Sequence, residues 1–275
     1  MTGRAWPGPR LAAGLALTGG LAAVALLALL WTPEPPARMA IPFKLRPPLA
    51  HGLLGTDAFG RDVLSMLMAG ARNSLGVALA AVALGGAAGT AVGTAAAARR
   101  GLAEALAMRA CDVAFAFPPV VSAMVLGALL GPGRGTAILA IGFFMVPVFA
   151  RVARGAALRV WARDFVLAAR GAGRGGLAVT LDHVLPNIAG ELVVQATIQL
   201  GLAVLTEAGL SFLGLGAPPP EPSWGRMLAE SQTYMVRAPW LAIVPGAAIA
   251  LAVLGFNLLG DGLRDRLDPR RSPGP

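Results

Sequence analysis

Long apolar runs separated by short polar segments set the pattern of this chain. A helix that crosses a bilayer needs roughly 20 mainly apolar residues. Four stretches reach that length with no charge inside: Leu11 to Pro33, Asn73 to Ala98, Val113 to Gly133 and Ala238 to Gly260. Two more are less regular. Gly135 to Ala150 is short unless it runs on past Arg151, and Pro186 to Gly216 contains Glu191 and Glu207. The pattern predicts an all-α integral membrane protein with six transmembrane helices. The first apolar run follows Arg4 and Arg10 as a signal peptide would. It is longer than the roughly 7–15 residues of a cleaved signal core, so it reads as an uncleaved anchor.

The segment from Thr32 to Arg72 carries prolines at positions 33, 35, 36, 42, 47 and 48. Proline at that density prevents regular helix and predicts an extended strap on the membrane surface. At its end Val63, Leu64, Leu67, Met68 and Ala71 share one helical face, which predicts a short helix lying in the interface. Residues 1–71 thus divide into anchor, strap and interfacial helix. Residues 72–275 form a domain of five further spans with a polar loop near 151–185.

Basic residues orient the helices, because cytoplasmic segments accumulate Lys and Arg. With the N-terminus inside, the inner segments hold Arg4, Arg10, Arg99, Arg100, Arg109, Arg151, Arg154, Arg159, Arg163, Arg170, Arg174, Arg264, Arg266, Arg270 and Arg271. That is fifteen, against eight outside. Both termini are expected in the cytoplasm. Within the spans, Gly85, Gly89 and Gly93 lie four apart, a spacing that lets helix backbones approach. Pro147 and Pro245 each remove a backbone hydrogen bond, as hinges or as fixed kinks. Trp224, Tyr234 and Trp240 read as an aromatic belt at the outer surface.

Composition sharpens the picture. Hydrophobic residues make up 56% and charged residues 13%, against about 25% charged in soluble domains. The solvent is lipid. A net charge of +9 does not indicate nucleic acid, since the arginines are scattered between apolar runs instead of forming a basic face. The single cysteine, Cys111, excludes an intramolecular disulfide. The only lysine, Lys44, follows Phe43, so the chain has no Gly-Lys-Ser/Thr phosphate loop. Gly171-Ala-Gly173-Arg-Gly-Gly176 fits a dinucleotide fingerprint in letters only, lacking the strand that must precede it. His51 and His183 fall on opposite sides of the membrane and cannot share a metal. No catalytic residue, metal site or cofactor is expected in this chain.

Intramembrane polar residues tend to face a bundle interior or a water-filled path. Glu191, Gln195 and Gln199 recur at i, i+4 and i+8, with Thr206 nearly in line and Glu207 beside it. They either line a translocation path or hydrogen-bond to neighbouring helices.

Three segments resemble a known family. They are Gly55-Thr-Asp-x-x-Gly-Arg-Asp, then Ala208-Gly-Leu-Ser-Phe-Leu-Gly-Leu-Gly with Pro222-Ser-Trp-Gly, and Phe256-Asn-Leu-Leu-Gly-Asp-Gly-Leu-Arg-Asp-Arg-Leu-Asp-Pro-Arg. In this order, over nearly the whole chain, they are similar to the permeases of dipeptide, oligopeptide and nickel ABC importers. The resemblance implies a type I importer permease fold in a bacterial inner membrane. It also implies a heterodimer with a second related permease, two ATP-binding subunits that use ATP and magnesium, and a periplasmic substrate-binding protein. The family's cytoplasmic Glu-Ala-Ala loop, a short helix seated in a cleft of the ATPase, corresponds to Asp164-Phe-Val-Leu-Ala-Ala-Arg-Gly-Ala-Gly followed by His183-Val-Leu-Pro-Asn. The match places Ala168, Ala169, Gly173, Leu185 and Pro186, with Asp164 and Arg170 in the same segment. Leu167 stands where the family has glutamate, and Gly171 where it has alanine; Asp164 is the candidate to supply the missing polar contact. The alternative is a stand-alone secondary transporter or channel, which would show internal repeats or broken helices with ionisable groups at mid-membrane. No clear repeat is visible.

Overall fold

Apolar helices gain nothing by leaving lipid, so their association rests on close backbone approach and on polar ties. A computed structural model describes residues 8–267. Arg4, Arg270 and Arg271 of the charge count, and the Asp268-Pro269-Arg270 end of the last motif, lie outside the described residues. Among the described residues ten α-helices follow in order. They are α1 (Pro9–Leu30), α2 (Val63–Arg99), α3 (Gly101–Ala116), α4 (Pro119–Leu130), α5 (Arg134–Trp161), α6 (Asp164–Gly171), α7 (Gly176–Val179), α8 (Leu185–Phe212), α9 (Trp224–Ser231) and α10 (Trp240–Leu267). A single π-helical turn, Thr180–Val184, joins α7 to α8, so Gly176–Phe212 runs as one rod.

The glycine spacing in α2 marks a helix seam. A Cβ on Gly85, Gly89 or Gly93 would overlap the carbonyl oxygens of Gly142, Val146 and Ala150 respectively. Partner numbers rise together along both helices, so α2 and α5 run parallel. Elsewhere the pairing is antiparallel: Gly14 lies against Leu259, Gly255 against Leu17 and Thr18, and Gly262 against Leu11. The start of α1 therefore meets the end of α10, where Arg10 approaches Asp265 at 3.7 Å. Both ends of the described chain lie on one side.

Among the described residues five helices are long and apolar enough to cross: α1, α2, α5, the Gly176–Phe212 rod and α10. The expected third span, Val113 to Gly133, is not one helix. It is broken between α3 and α4, which meet at 84°. Pro118 has no N–H to give, and it forces Phe117 out of helical geometry (φ −83°, ψ 124°), while Pro119 starts a new helix at its first position. Parallel α2 and α5 require the chain between them to return across the membrane, so α3–α4 supplies the sixth crossing. A broken helix is one mark of the secondary-transporter alternative, but the break at Phe117-Pro118 holds no ionisable group.

Two other expectations change. Residues 63–71 do not form a separate interfacial helix; they are the first turns of α2, with Val63, Met66, Met68 and Ala71 buried. Asn73, the expected first residue of the second span, lies inside α2 and is buried, its Nδ2 donating to the Pro222 carbonyl at 2.6 Å. The short fourth span runs on past Arg151 as α5, whose arginines find acids: Arg151 meets Asp112 at 2.8 Å and Arg154 meets Glu104 at 2.5 Å. Pro147 and Pro245 both lie inside unbroken helices.

The topology makes a direct prediction. Val236, fully exposed after α9, and Gly175, exposed before α7, fall on opposite sides of the bundle. In intact cells Val236→Cys should react with a membrane-impermeant maleimide and Gly175→Cys should not, against the buried native Cys111. Labelling of Gly175→Cys without permeabilisation would reverse the orientation.

Candidate coupling loop, polar stripe and outer lock

The loop between α5 and α8 folds because it has a small core of its own. Trp161, Val166, Val179, Val184 and Ile188 are buried together with Ala153, Ala156 and Ala157. Val166 anchors α6 to this cluster, and Ala169, one turn on, is half-buried against it. The opposite face of α6 is open: Asp164, Leu167, Ala168 and Gly171, at i, i+3, i+4 and i+7, are all exposed. Asp164 lies in the first turn, where a carboxylate opposes the positive end of the helix dipole. The Arg170 guanidinium covers the Trp161 ring at 5.9 Å.

Gly173, at φ +84°, closes the helix in the left-handed region with no neighbour within reach of a Cβ, so its backbone angle alone calls for glycine. Arg174 then pairs with Asp182. Leu185, half-buried, and Pro186, exposed, begin α8 with proline in the first turn. His183 meets Phe165 edge-on at 6.1 Å, and His51 stacks on Phe43 at 4.1 Å.

The polar stripe of α8 does not stay on one face. Successive i+4 steps drift by about 40° on a helix of 3.6 residues per turn, and the structure resolves the residues into different settings. Glu191 is exposed at the head of α8 and accepts from Arg159 Nη2 at 2.7 and 2.6 Å. Gln195 is half-buried, whereas Gln199 is buried with its Oε1 unpartnered. Thr206 turns its hydroxyl back to the Leu202 carbonyl at 2.8 Å. A groove of about 480 Å³ runs between α2 and α8, but its α8 wall is Leu192, Val193, Ala196 and Leu200. The stripe residues are not gathered on that wall.

Glu207, only 2% exposed, is the polar residue of α8 most deeply placed; Ser211 donates to it at 2.6 Å. Around it Asn73 and Ser74 of α2 take the Pro222 carbonyl and the Trp224 amide, the latter at 3.2 Å. Trp224 is not a belt residue. It is 1% exposed, its Nε1 donates to the Leu67 carbonyl at 3.1 Å, and its ring covers Gly70. A tryptophan with a buried acceptor in reach is an interior residue, and nothing in the spacing of the aromatics reveals that acceptor.

The Gly55 to Asp62 motif is a structural lock. Asp57 accepts from the Arg61 amide at 2.8 Å and from Arg61 Nε at 2.5 Å, and Asp62 caps α2 by accepting from the Ser65 amide at 2.7 Å. Gly60 sits at φ +75° under the Ala40 carbonyl, where no side chain fits. The far end of Arg61 donates to Glu230 at 2.7 Å, tying the strap to α9. Arg61→Ala would leave the buried Asp57 carboxylate without its cation, while Glu230 would keep Arg226 at 2.9 Å. It is expected to cost on the order of 1–3 kcal/mol, read as a lower unfolding temperature in detergent that Arg61→Lys recovers in part.

Comparison with known proteins places the chain. The family described as "Binding-protein-dependent transport system inner membrane component" matches residues 85–273. Among similar proteins is the "Glutathione transport system permease protein GsiD" of Pectobacterium atrosepticum, 43% identical over 224 residues, covering 82% of this chain and 74% of that protein. The proteins of the same name from Escherichia coli O1:K1 and Shigella sonnei are 45% identical over the same shares. With a match over well more than half its length, this chain belongs to the binding-protein-dependent transport system inner-membrane components, the multi-pass permease subunits of ABC importers.

Proposed function

We propose that this chain forms half of the translocation path of an ATP-driven importer for short peptides of the glutathione kind. It works with a second related permease, two ATP-hydrolysing subunits and a periplasmic substrate-binding protein. ATP and magnesium act in the separate subunits. The observation that carries the reading is the open face of α6: a short helix anchored from behind by Val166, presenting Asp164, Leu167, Ala168 and Gly171 beyond the end of a transmembrane helix. A transporter that worked alone would have no use for such a face. The substrate class rests on the names of the relatives, which speak for a peptide-like cargo and give no support to nickel.

Proteoliposomes holding the two permeases and two ATPases, supplied with the binding protein, should accumulate radiolabelled glutathione or a related tripeptide only with internal ATP and magnesium. Uptake by this chain alone, driven by an ion gradient, would replace the reading with the secondary-transporter one. In the same assay Gln195→Leu with Gln199→Leu separates the two readings of the stripe. Transport that falls at least tenfold with assembly intact supports path lining, and loss of assembly supports packing.

A further inference from the structure

The helix α3 is built inside out. Its face toward α5 carries the acids: Glu104 accepts from Arg154 at 2.5 Å and Asp112 from Arg151 at 2.8 Å, and Cys111 is its one buried residue. Its outward face is apolar. Leu102, Leu106 and Val113, at i, i+4 and i+11, are 76%, 61% and 62% exposed, with Arg109 at i+7 the one charge among them. A contiguous apolar face of this kind marks contact with membrane or protein.

Its level is that of the inner leaflet. Arg151 and Arg154 follow Arg134, the first residue of α5, by 17 and 20 residues, about 26 and 30 Å of helix against a hydrocarbon core of about 30 Å. Held at those two arginines, α3 slants from the inner surface into the membrane and turns through 84° into α4. Phe117, at the turn, joins Val121 and Val125 of α4, Ala88 of α2 and Phe143 of α5 around a groove of about 610 Å³ that is apolar except at Ser122. Ala88 precedes Arg99, the end of α2, by eleven residues, about 16 Å, which is the depth of one leaflet.

The inner border is basic. Arg99 and Arg100 at the junction of α2 with α3, and Arg109, are exposed and have no carboxylate partner among the described residues. A second permease would bring basic inner segments of its own to this level, like charge against like. Anionic headgroups are the complement, gaining about fivefold in affinity for each arginine near the surface. We infer that α3 and the groove form a binding site for an anionic phospholipid of the inner leaflet. Arg99, Arg100 and Arg109 hold its phosphate, and an acyl chain runs past Leu106 and Val113 into the groove at Phe117. The lipid completes the packing of two helices that bury only Cys111 and Ala123 within the chain.

The test uses the co-expressed complex in nanodiscs, with Cys111→Ser and a bimane on Leu106→Cys or on Val125→Cys. Brominated phosphatidylglycerol should quench both probes, and unbrominated phosphatidylcholine should relieve the quenching at least tenfold less well than unbrominated phosphatidylglycerol. Arg99→Gln with Arg109→Gln should abolish that preference at an unchanged unfolding temperature, since both side chains are exposed. The competition with the arginines intact decides the matter whatever the stability of that variant. Escape of either probe from quenching, equal competition by the two lipids, or a preference kept by a stable double variant would overturn the site. Quenching seen in the chain alone and lost in the complex would give this face to the second permease, and would overturn it too.

Discussion

Gly89→Leu should leave no folded permease to purify. At Gly89 the α2 backbone lies against the Val146 carbonyl, with the Phe149 Cβ and the Ala150 amide beside it. A leucine meets backbone there, and backbone cannot rotate aside as a side chain would. Overpacking in ordinary cores costs about 1–3 kcal/mol. Here relief requires moving two parallel helices apart along a seam that also includes Gly85 and Gly93, so the loss should exceed about 4 kcal/mol. Gly76 lies on the same helix, exposed, with nothing within reach of a Cβ. Gly76→Leu should therefore change stability by no more than about 0.5 kcal/mol. The two variants are compared by yield and monodispersity in detergent, then by thermal unfolding. A monodisperse Gly89→Leu protein with unchanged Tm would mean that α2 and α5 do not pack through this seam.

That seam was legible because a period of four in glycines states its own geometry. The partner helix was not, because α5 contributes through backbone carbonyls, which any sequence provides. The arginine counts put both ends of the chain on one side of the membrane, and the α1–α10 pairing brings the described ends to one side of the bundle. The broken third span shows what hydropathy alone misses. Val113 to Gly133 is apolar throughout, so its average reads as one helix, yet Pro118-Pro119 is a local geometric instruction that overrides the average. Trp224 was misplaced, and the second span started too late at Asn73, for the opposite reason. Trp224 Nε1 donates to Leu67 and Asn73 Nδ2 to Pro222, both distant in sequence, and only tertiary contact shows that a residue suited to an interface has been drawn inside. In the Gly55 to Asp62 motif the letters were visible but their work was not, since the closure of the loop on Glu230 spans most of the chain.

The α6 segment divides in the same way. Its helix, its first-turn acid and its terminal glycine follow from local sequence. Which of Ala168 and Ala169 faces outward does not, because that depends on Trp161, Val184 and Ile188, brought in by the elements on either side. The structure turns Ala169 inward, so a bulky residue there would disturb this chain's own packing and report on the wrong surface. Ala168 is exposed at the centre of the open face, flanked by Asp164, Leu167 and Gly171. Ala168→Arg adds length and charge to the contact surface while leaving Val166 and its cluster untouched. If α6 is the docking helix, the variant should reach the membrane at wild-type level with an unchanged unfolding temperature. The assembled complex should then lose either its ATPase subunits or at least tenfold of the ATPase stimulation by loaded binding protein, with transport falling in parallel. Asp164→Ala should be milder, because an exposed acid at a helix start is worth about 0.3–1 kcal/mol to the helix itself. A loss as large as that of Ala168→Arg would mean that Asp164 makes the polar contact that Leu167 cannot. Full stimulation and transport in the Ala168→Arg complex would remove α6 from the path by which ATP hydrolysis reaches the membrane helices.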